Sequence, residues 1–157
     1  MNKTRLYLAG MTAIVIASGI AAQAEKLSKK DEPLIFNDAQ AQTEQFIRYN
    51  KTIKLSATQR KIKAKVLGSI PAPCCKDYSI ATCCCPCNLA KGVWGLSHHL
   101  IAERKYSSKQ VRQEVLRWMA FINPTGFSGD ACYTGGCSRP FSKNGCGGMD
   151  EKHVAAD

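Results

Sequence analysis

The chain lacks the short motifs that mark several enzyme classes. It has no G-x-S-x-G elbow of serine hydrolases, no H-E-x-x-H zinc motif and no glycine-rich loop placed to hold a phosphate. Covalent haem attachment through C-x-x-C-H is excluded at the cysteine cluster, because Asn88 follows Cys87. A hydrolase built on cysteine and histidine would need a base beside the sulfur, and no motif in the sequence positions one.

Long apolar runs are absent after residue 24. Before it, the basic start MNKTR, an apolar stretch and the small-residue site Ala22-Gln23-Ala24 follow the order of an export signal. A permanent anchor is the less favoured alternative, because the apolar run of roughly 17 residues is near the lower limit for a bilayer span. The pattern predicts a signal peptide over residues 1–24. It also predicts a single periplasmic or secreted domain over residues 25–157, with no permanent membrane span.

Acidic residues are few. The chain has 22 lysines and arginines against 12 aspartates and glutamates. Removing residues 1–24 takes away Lys3 and Arg5 and no acid, so 20 basic and 12 acidic residues would remain, a net charge of +8. Export and the scarcity of aromatics in the basic stretch argue against a nucleic-acid partner. Weak attraction to anionic surfaces or acidic partners is the better interpretation.

Strand-like alternation is also absent, and helical periodicity takes its place. Helix starts are predicted by three pairs with capping-box spacing, Asn37 with Gln40, Ser56 with Gln59 and Ser107 with Gln110. Apolar stripes are predicted at Leu89, Val93, Leu96 and Leu100, and at Val111, Val115, Trp118, Met119 and Ile122. The fold class is therefore mainly α, a small helical bundle or hairpin with two irregular cysteine-rich loop segments.

Three finer expectations follow from the helical pattern. Arg60, Lys61, Lys63 and Lys65 should form the solvated face of an amphipathic helix. Gly92 and Gly95 either simply weaken their own helix or serve to let another backbone approach closely. The last helix should end at Asn123, because Pro124 follows it.

Cysteine is abundant, and its number is odd. Six of the nine cysteines lie within residues 74–87, and Cys132, Cys137 and Cys146 lie in the glycine-rich segment 125–148, which cannot hold a helix. In an oxidising compartment disulfides are possible. At least one of nine thiols must nevertheless be free, metal-bound or paired with another chain.

Cys84-Cys85-Pro86-Cys87 is a C-x-P-C pair that stands immediately before a predicted helix. The positive end of a helix dipole favours the thiolate, which is the reactive form of the sulfur. Neighbouring cysteines cannot easily bridge each other, because adjacent Cα atoms lie about 3.8 Å apart and relaxed disulfides need about 4.4–6.8 Å. The leading hypothesis is thiol–disulfide exchange with a partner protein, in which Cys84 attacks and Cys87 resolves. Those two roles are assigned by analogy with other helix-start pairs.

Two alternatives remain open. Cys74, Cys75, Cys83 and Cys85 are candidate ligands for a soft metal such as copper or zinc, although the paired C-x-x-C spacing of structural zinc sites is missing. His98 and His99 are poor additional ligands, because eleven helical residues from Cys87 to His98 span about 16 Å. We expect one of them to be a satisfied polar side chain. The other alternative is a structural or interaction protein stapled by disulfides.

The order PAPCC, CCCPCN, helix and KYSSKQVRQEVLRWM resembles two families over residues 73–123. One is the exported PCYCGC-motif proteins, which implies export and a metal- or redox-linked role. The other is the small helical thiol-disulfide proteins of cytochrome c maturation, in which a C-P-x-C-Q-N loop precedes a helical hairpin. That similarity implies that Cys84 and Cys87 are the redox pair. The proline here is third in the motif rather than second, and the other cysteines have no counterpart.

Overall fold

The computed structural model of this chain describes residues 32–73, 77–83 and 87–123. Four α-helices are found in this part, which confirms a mainly α fold. They are α1 (Ala39–Thr52), α2 (Ala57–Gly68), α3 (Asn88–Ala102) and α4 (Ser108–Ile122), with a short 3₁₀ turn at Ile80–Thr82 between α2 and α3. The expected signal peptide (1–24) and the glycine-rich segment 125–148 lie outside the described residues.

The helices begin where local side chains satisfy the first backbone N–H groups. Both capping boxes are confirmed, at Ser56 with Gln59 and at Ser107 with Gln110. The first helix differs by one residue from the prediction. Asp38, not Asn37, is its N-cap, and its carboxylate accepts a hydrogen bond of 2.9 Å from the backbone N–H of Ala41. An ionised carboxylate is a stronger acceptor than a neutral amide and is favoured at a helix N-terminus, which accounts for the shift.

Helix α3 lies at the centre of the hydrophobic core. Its predicted stripe is confirmed, because Leu89, Val93, Leu96 and Leu100 are all buried. The predicted stripe of α4 is also buried at Val111, Val115, Trp118 and Met119, and Ile122 packs at its edge. Each fully buried side chain of this size contributes about 1.5–3 kcal/mol, so these two stripes account for much of the stability. The predicted end of α4 is confirmed, because Ile122 is its last helical residue and Asn123 is its C-cap.

Helices α1 and α3 approach each other closely at Gly95. A Cβ atom at this position would overlap the carbonyl oxygen of Phe46 and lie 2.7 Å from the backbone nitrogen of Asn50. At Gly92 a Cβ would be 3.8 Å from Thr43 Cγ2, an ordinary contact. The predicted close approach is therefore found at Gly95 and not at Gly92.

The segment 32–38 covers an aromatic cluster that the sequence pattern did not predict. The ring of Phe36 meets Trp118 edge-on at 5.2 Å between centroids and stacks on Phe121 at 6.1 Å. Phe46 also meets Trp118 edge-on, at 4.9 Å between centroids. Such pairs add about 0.5–1.5 kcal/mol each beyond the area that they bury. The cluster joins the N-terminal segment to α1 and α4.

Side chains from the α3–α4 region hold the backbone of this segment. The guanidinium of Arg104 and the hydroxyl of Tyr106 both donate to the carbonyl oxygen of Glu32, each at 2.6 Å. Arg117 donates to the carbonyl oxygen of Leu34 at 3.0 Å and pairs with the carboxylate of Glu114 at 2.6 Å. Because Glu114 is 4% exposed, this pair places a nearly buried charge next to the segment.

Candidate functional site

After α2, residues 70–72 pair in antiparallel fashion with residues 78–80. The N–H of Ile80 donates to the carbonyl oxygen of Ile70, and the N–H of Ala72 donates to that of Tyr78, both at 2.9 Å. These bonds flank an isolated antiparallel bridge between Pro71 and Ser79. Ile70 and Ile80, which are 1% and 0% exposed, anchor these two paired segments in the core.

A side chain of helix α3 holds the chain just ahead of Cys83. The indole Nε1 of Trp94 donates a hydrogen bond of 2.8 Å to the carbonyl oxygen of Ile80, the first residue of the 3₁₀ turn. That turn ends at Thr82, and the half-buried Cys83 follows it and packs against the core. A buried carbonyl without a partner costs about 1–3 kcal/mol, so the indole contributes to keeping this turn in place. Helical periodicity gives no sign of this bond, because Ile80 lies 14 residues before Trp94 and outside its helix.

Cys87 is the N-cap residue of α3. Its backbone is extended (φ −68°, ψ 168°), and its carbonyl oxygen accepts the first hydrogen bond of the helix, from the N–H of Lys91 at 3.0 Å. The next residue, Asn88, is 2% exposed and opens the helix. The prediction that Cys87 stands immediately before a helix is thus confirmed.

Two physical effects act on the sulfur of Cys87. The N-terminus of a 15-residue helix with no acidic residue in its first turn favours negative charge there. Burial works in the opposite direction, because Cys87 is 7% exposed and belongs to the hydrophobic core cluster. With only 7% of the residue exposed, Cys87 is poorly accessible to large reagents.

The structure describes only part of the predicted site. Cys84, the predicted attacking residue, lies outside the described residues, so its pairing with Cys87 stays a prediction. The same holds for three of the four candidate metal ligands, Cys74, Cys75 and Cys85. Within the described ranges, no three histidine, cysteine, aspartate or glutamate side chains gather as a metal site would require.

Both histidines of α3 are engaged with other groups. His98 Nδ1 lies 2.8 Å from the carbonyl oxygen of Ile53, so this nitrogen donates and Nε2 is left to accept from the ammonium of Lys63, also at 2.8 Å. His99 stacks on Tyr49 at 4.9 Å between ring centroids, and its Nδ1 lies 2.6 Å from a carboxylate oxygen of Glu103. We expected one of the two histidines to have its polar side chain hydrogen-bonded within the protein, and both His98 and His99 do.

Lys63 differs from the prediction that it lies on the solvated face of its helix. Its side chain is half-buried and turns toward α3, while Arg60, Lys61 and Lys65 are exposed. Burial lowers the pKa of the Lys63 ammonium from 10.5 to about 8. Burial and the charge of Lys63 also lower the pKa of His98. The helical pattern could not reveal this, because a lysine at the border of two faces can turn either way.

None of the helices in residues 32–123 that the structure describes has the length and apolar character of a membrane span. Comparison of the chain with protein-family models, with curated proteins and with solved structures found no match.

Proposed function

We propose that this chain is an exported thiol–disulfide exchange protein whose working pair is Cys84 and Cys87. The observation that carries the proposal is the position of Cys87, which is buried at the N-cap of α3 with Cys84 three residues before it. A shielded sulfur at a helix start suits a resolving residue, because it reacts with its own chain in preference to large external disulfides.

The exchange has two balanced steps. The thiolate of Cys84 attacks one sulfur of a client disulfide, which forms a mixed disulfide and releases one client thiolate. The thiolate of Cys87 then attacks the sulfur of Cys84, which closes the Cys84–Cys87 bond and releases the second client thiolate. The client gains two electrons and this protein loses two, so a dithiol reductant protein is needed to reset it. The reverse sequence would oxidise a client dithiol.

The scaffold around the pair supports this chemistry. The chain before Cys83 is held by the bond from Trp94 to Ile80, and the chain after Cys87 is fixed by the first turn of α3. Residues 81–86 lie between Ile80 and Cys87, so a short span between these two anchored residues carries the attacking residue. The expected signal over residues 1–24 places the pair in the periplasm or outside the cell, where oxidised partners exist.

A redox titration tests the proposal. The purified protein is equilibrated in glutathione buffers of about −320 to −120 mV, alkylated and weighed by mass spectrometry. We expect one two-electron transition that is absent from both Cys84→Ser and Cys87→Ser. Cys83→Ser is the matched control and keeps the transition. With a small disulfide as substrate, Cys87→Ser should accumulate a mixed disulfide at Cys84. A pair that stays in one state over the whole range would overturn the proposal.

The alternative proposal is soft-metal binding, supported by the density of six cysteines in residues 74–87. With Cys74, Cys75, Cys83 and Cys85 as ligands, copper or zinc should be present at a stoichiometric level after anaerobic purification. Native mass spectra before and after chelation would show it. If Cys84→Ser or Cys87→Ser lowered the melting temperature without removing any redox or metal activity, the result would instead indicate a disulfide-stapled structural or interaction protein.

A further inference from the structure

A cleft opens on the side of the molecule where α2 faces α3. It encloses about 660 Å³ and lies between the end of α1, helix α2, the 3₁₀ turn and helix α3. This volume falls within the range of about 300–1,000 Å³ that small-ligand sites occupy. Leu55, Leu67 and the indole of Trp94 supply much of its apolar wall.

The charged side chains that line the cleft are all basic. Lys54, Arg60 and Lys63 line it together with His98, and none of the described lining residues is acidic. Each cation has a neutral partner. Arg60 donates to the carbonyl oxygen of Leu55 at 2.7 Å, Lys54 to that of Lys51 at 3.2 Å, and Lys63 to His98. The ion pairs found in the described residues involve other groups, at Glu103 and Glu114.

Of the three cations that line the cleft, Lys63 is the least exposed to solvent. Its ammonium is desolvated, which lowers its pKa to about 8, and its partner His98 is itself disfavoured as a cation. An ammonium has three N–H donors, and His98 Nε2 accepts one of them. The guanidinium of Arg60 likewise retains donors beyond the one that Leu55 uses. Hydrogen-bond donors and positive charge, with no lining carboxylate, therefore meet beside an apolar wall.

We infer that this cleft binds a small monocarboxylate with an apolar body, such as a medium-chain fatty acid. The carboxylate would accept hydrogen bonds from Lys63 and Arg60, and the hydrocarbon would lie against Leu55, Leu67 and Trp94. A carboxylate fits because a planar two-oxygen anion matches the guanidinium fork. The apolar walls favour an amphipathic ligand over a small inorganic anion. Ala81 and Thr82 also line the cleft, so such a ligand would lie next to Cys83 without requiring any thiol chemistry.

Calorimetric titration with decanoate tests this inference. We expect saturable 1:1 binding that Lys63→Met weakens at least tenfold, because the variant keeps the hydrocarbon stem and removes the charge. Lys61→Met is the matched control, since Lys61 is exposed on the same helix and does not line the cleft, and it should bind as the parent does. Decanol should bind at least tenfold more weakly than decanoate. Trp94 fluorescence should change with the same midpoint, whereas Trp118 is fully buried elsewhere.

Several results would overturn it. These are equal affinity in Lys63→Met and the parent, equal affinity for decanol and decanoate, or no saturable binding of decanoate. If Lys63→Met fails to fold, as shown by its helix content, Lys63→Arg replaces it. That variant should retain binding within a few-fold because it keeps the charge, and loss of binding in folded Lys63→Arg would contradict the inference. Cysteine variants leave this binding unchanged, so failure here is distinguishable from failure of the redox proposal.

Discussion

The carbonyl oxygen of Phe46 occupies the space in which a side chain on Gly95 would begin. Replacing Gly95 by alanine must therefore push α1 and α3 apart along their closest line of contact. Overpacking costs about 1–3 kcal/mol, occasionally more, and an overlap with backbone atoms belongs at the upper end of this range. The cost therefore exceeds the gain of roughly 1 kcal/mol in helix propensity. We expect Gly95→Ala to lower the free energy of unfolding by about 2 kcal/mol in chemical denaturation.

The matched control for this substitution is Gly92→Ala, one helical turn earlier. Its new methyl group would meet Thr43 and Trp118 at 3.8 and 3.9 Å, which are ordinary contacts. Only the propensity term should remain, so we expect a gain of about 0.5–1 kcal/mol. Equal effects of the two substitutions would show that the helices are not in contact as described.

Trp94→Phe tests the anchor of the cysteine-bearing loop. The substitution keeps an aromatic ring and removes the 2.8 Å hydrogen bond to the carbonyl oxygen of Ile80. We expect a loss of about 1–2 kcal/mol and faster hydrogen exchange at the amide of Ile80, which is bonded to Ile70. Tyr78→Phe, in an exposed side chain of the same loop, should leave both quantities unchanged. Unaltered exchange at Ile80 in Trp94→Phe would refute the anchoring role.

Arg117→Met tests the buried charge on α4. It would leave the carboxylate of Glu114, 4% exposed, without the guanidinium that holds both of its oxygens at 2.6 and 2.8 Å. Because the Arg117 side chain is 40% exposed, we expect a loss of about 1–3 kcal/mol rather than the larger cost of a fully buried pair. Adding Glu114→Gln should recover part of it, since a neutral amide is cheaper to bury. Arg112→Met, exposed on the same helix, should change stability by less than about 0.5 kcal/mol.

Lys63 gives stability an unusual dependence on pH. Its pKa is about 8 in the folded protein and 10.5 ordinarily, so between these values the unfolded chain binds more protons. The free energy of unfolding must then rise with pH from about 8 to 10.5, and fall toward lower pH as the buried ammonium forms. Allowing for partial exposure, we expect a contribution of about 1 kcal/mol.

The measurement is the difference in unfolding free energy between the parent and Lys63→Met, followed from pH 7 to pH 10.5. The difference removes the titration of tyrosines and thiols, which both proteins share. The unfolding free energy of Lys63→Met minus that of the parent should be about 1 kcal/mol larger at pH 7 than at pH 10.5. A difference that does not vary with pH would mean that the Lys63 ammonium is solvated.

The helical framework follows from the sequence because its determinants are local. Serine and glutamine three residues apart, and apolar side chains at intervals of three and four, act within one or two turns. Asp38 displaced Asn37 as a cap because two adjacent residues of similar capping preference compete, and spacing alone cannot rank them.

The contacts between distant segments did not follow from the pattern. Arg104 and Tyr106 reach back to Glu32, more than seventy residues away, and Lys63 finds His98 across two helices. Such contacts depend on how helices are placed relative to one another. For the site, the position of Cys87 at a helix start could be predicted, whereas its burial depends on α3 lying in the middle of the core.

The central position of α3 bears on the order in which this molecule matures. A core made of helix stripes assembles in microseconds to milliseconds, whereas sulfur–sulfur bonds form in seconds to hours. In the oxidising compartment that we propose, packing would thus finish first, and Cys87 would already sit at its helix end when an oxidant arrives. The choice of sulfur partners would then be made on a finished scaffold rather than by a collapsing chain.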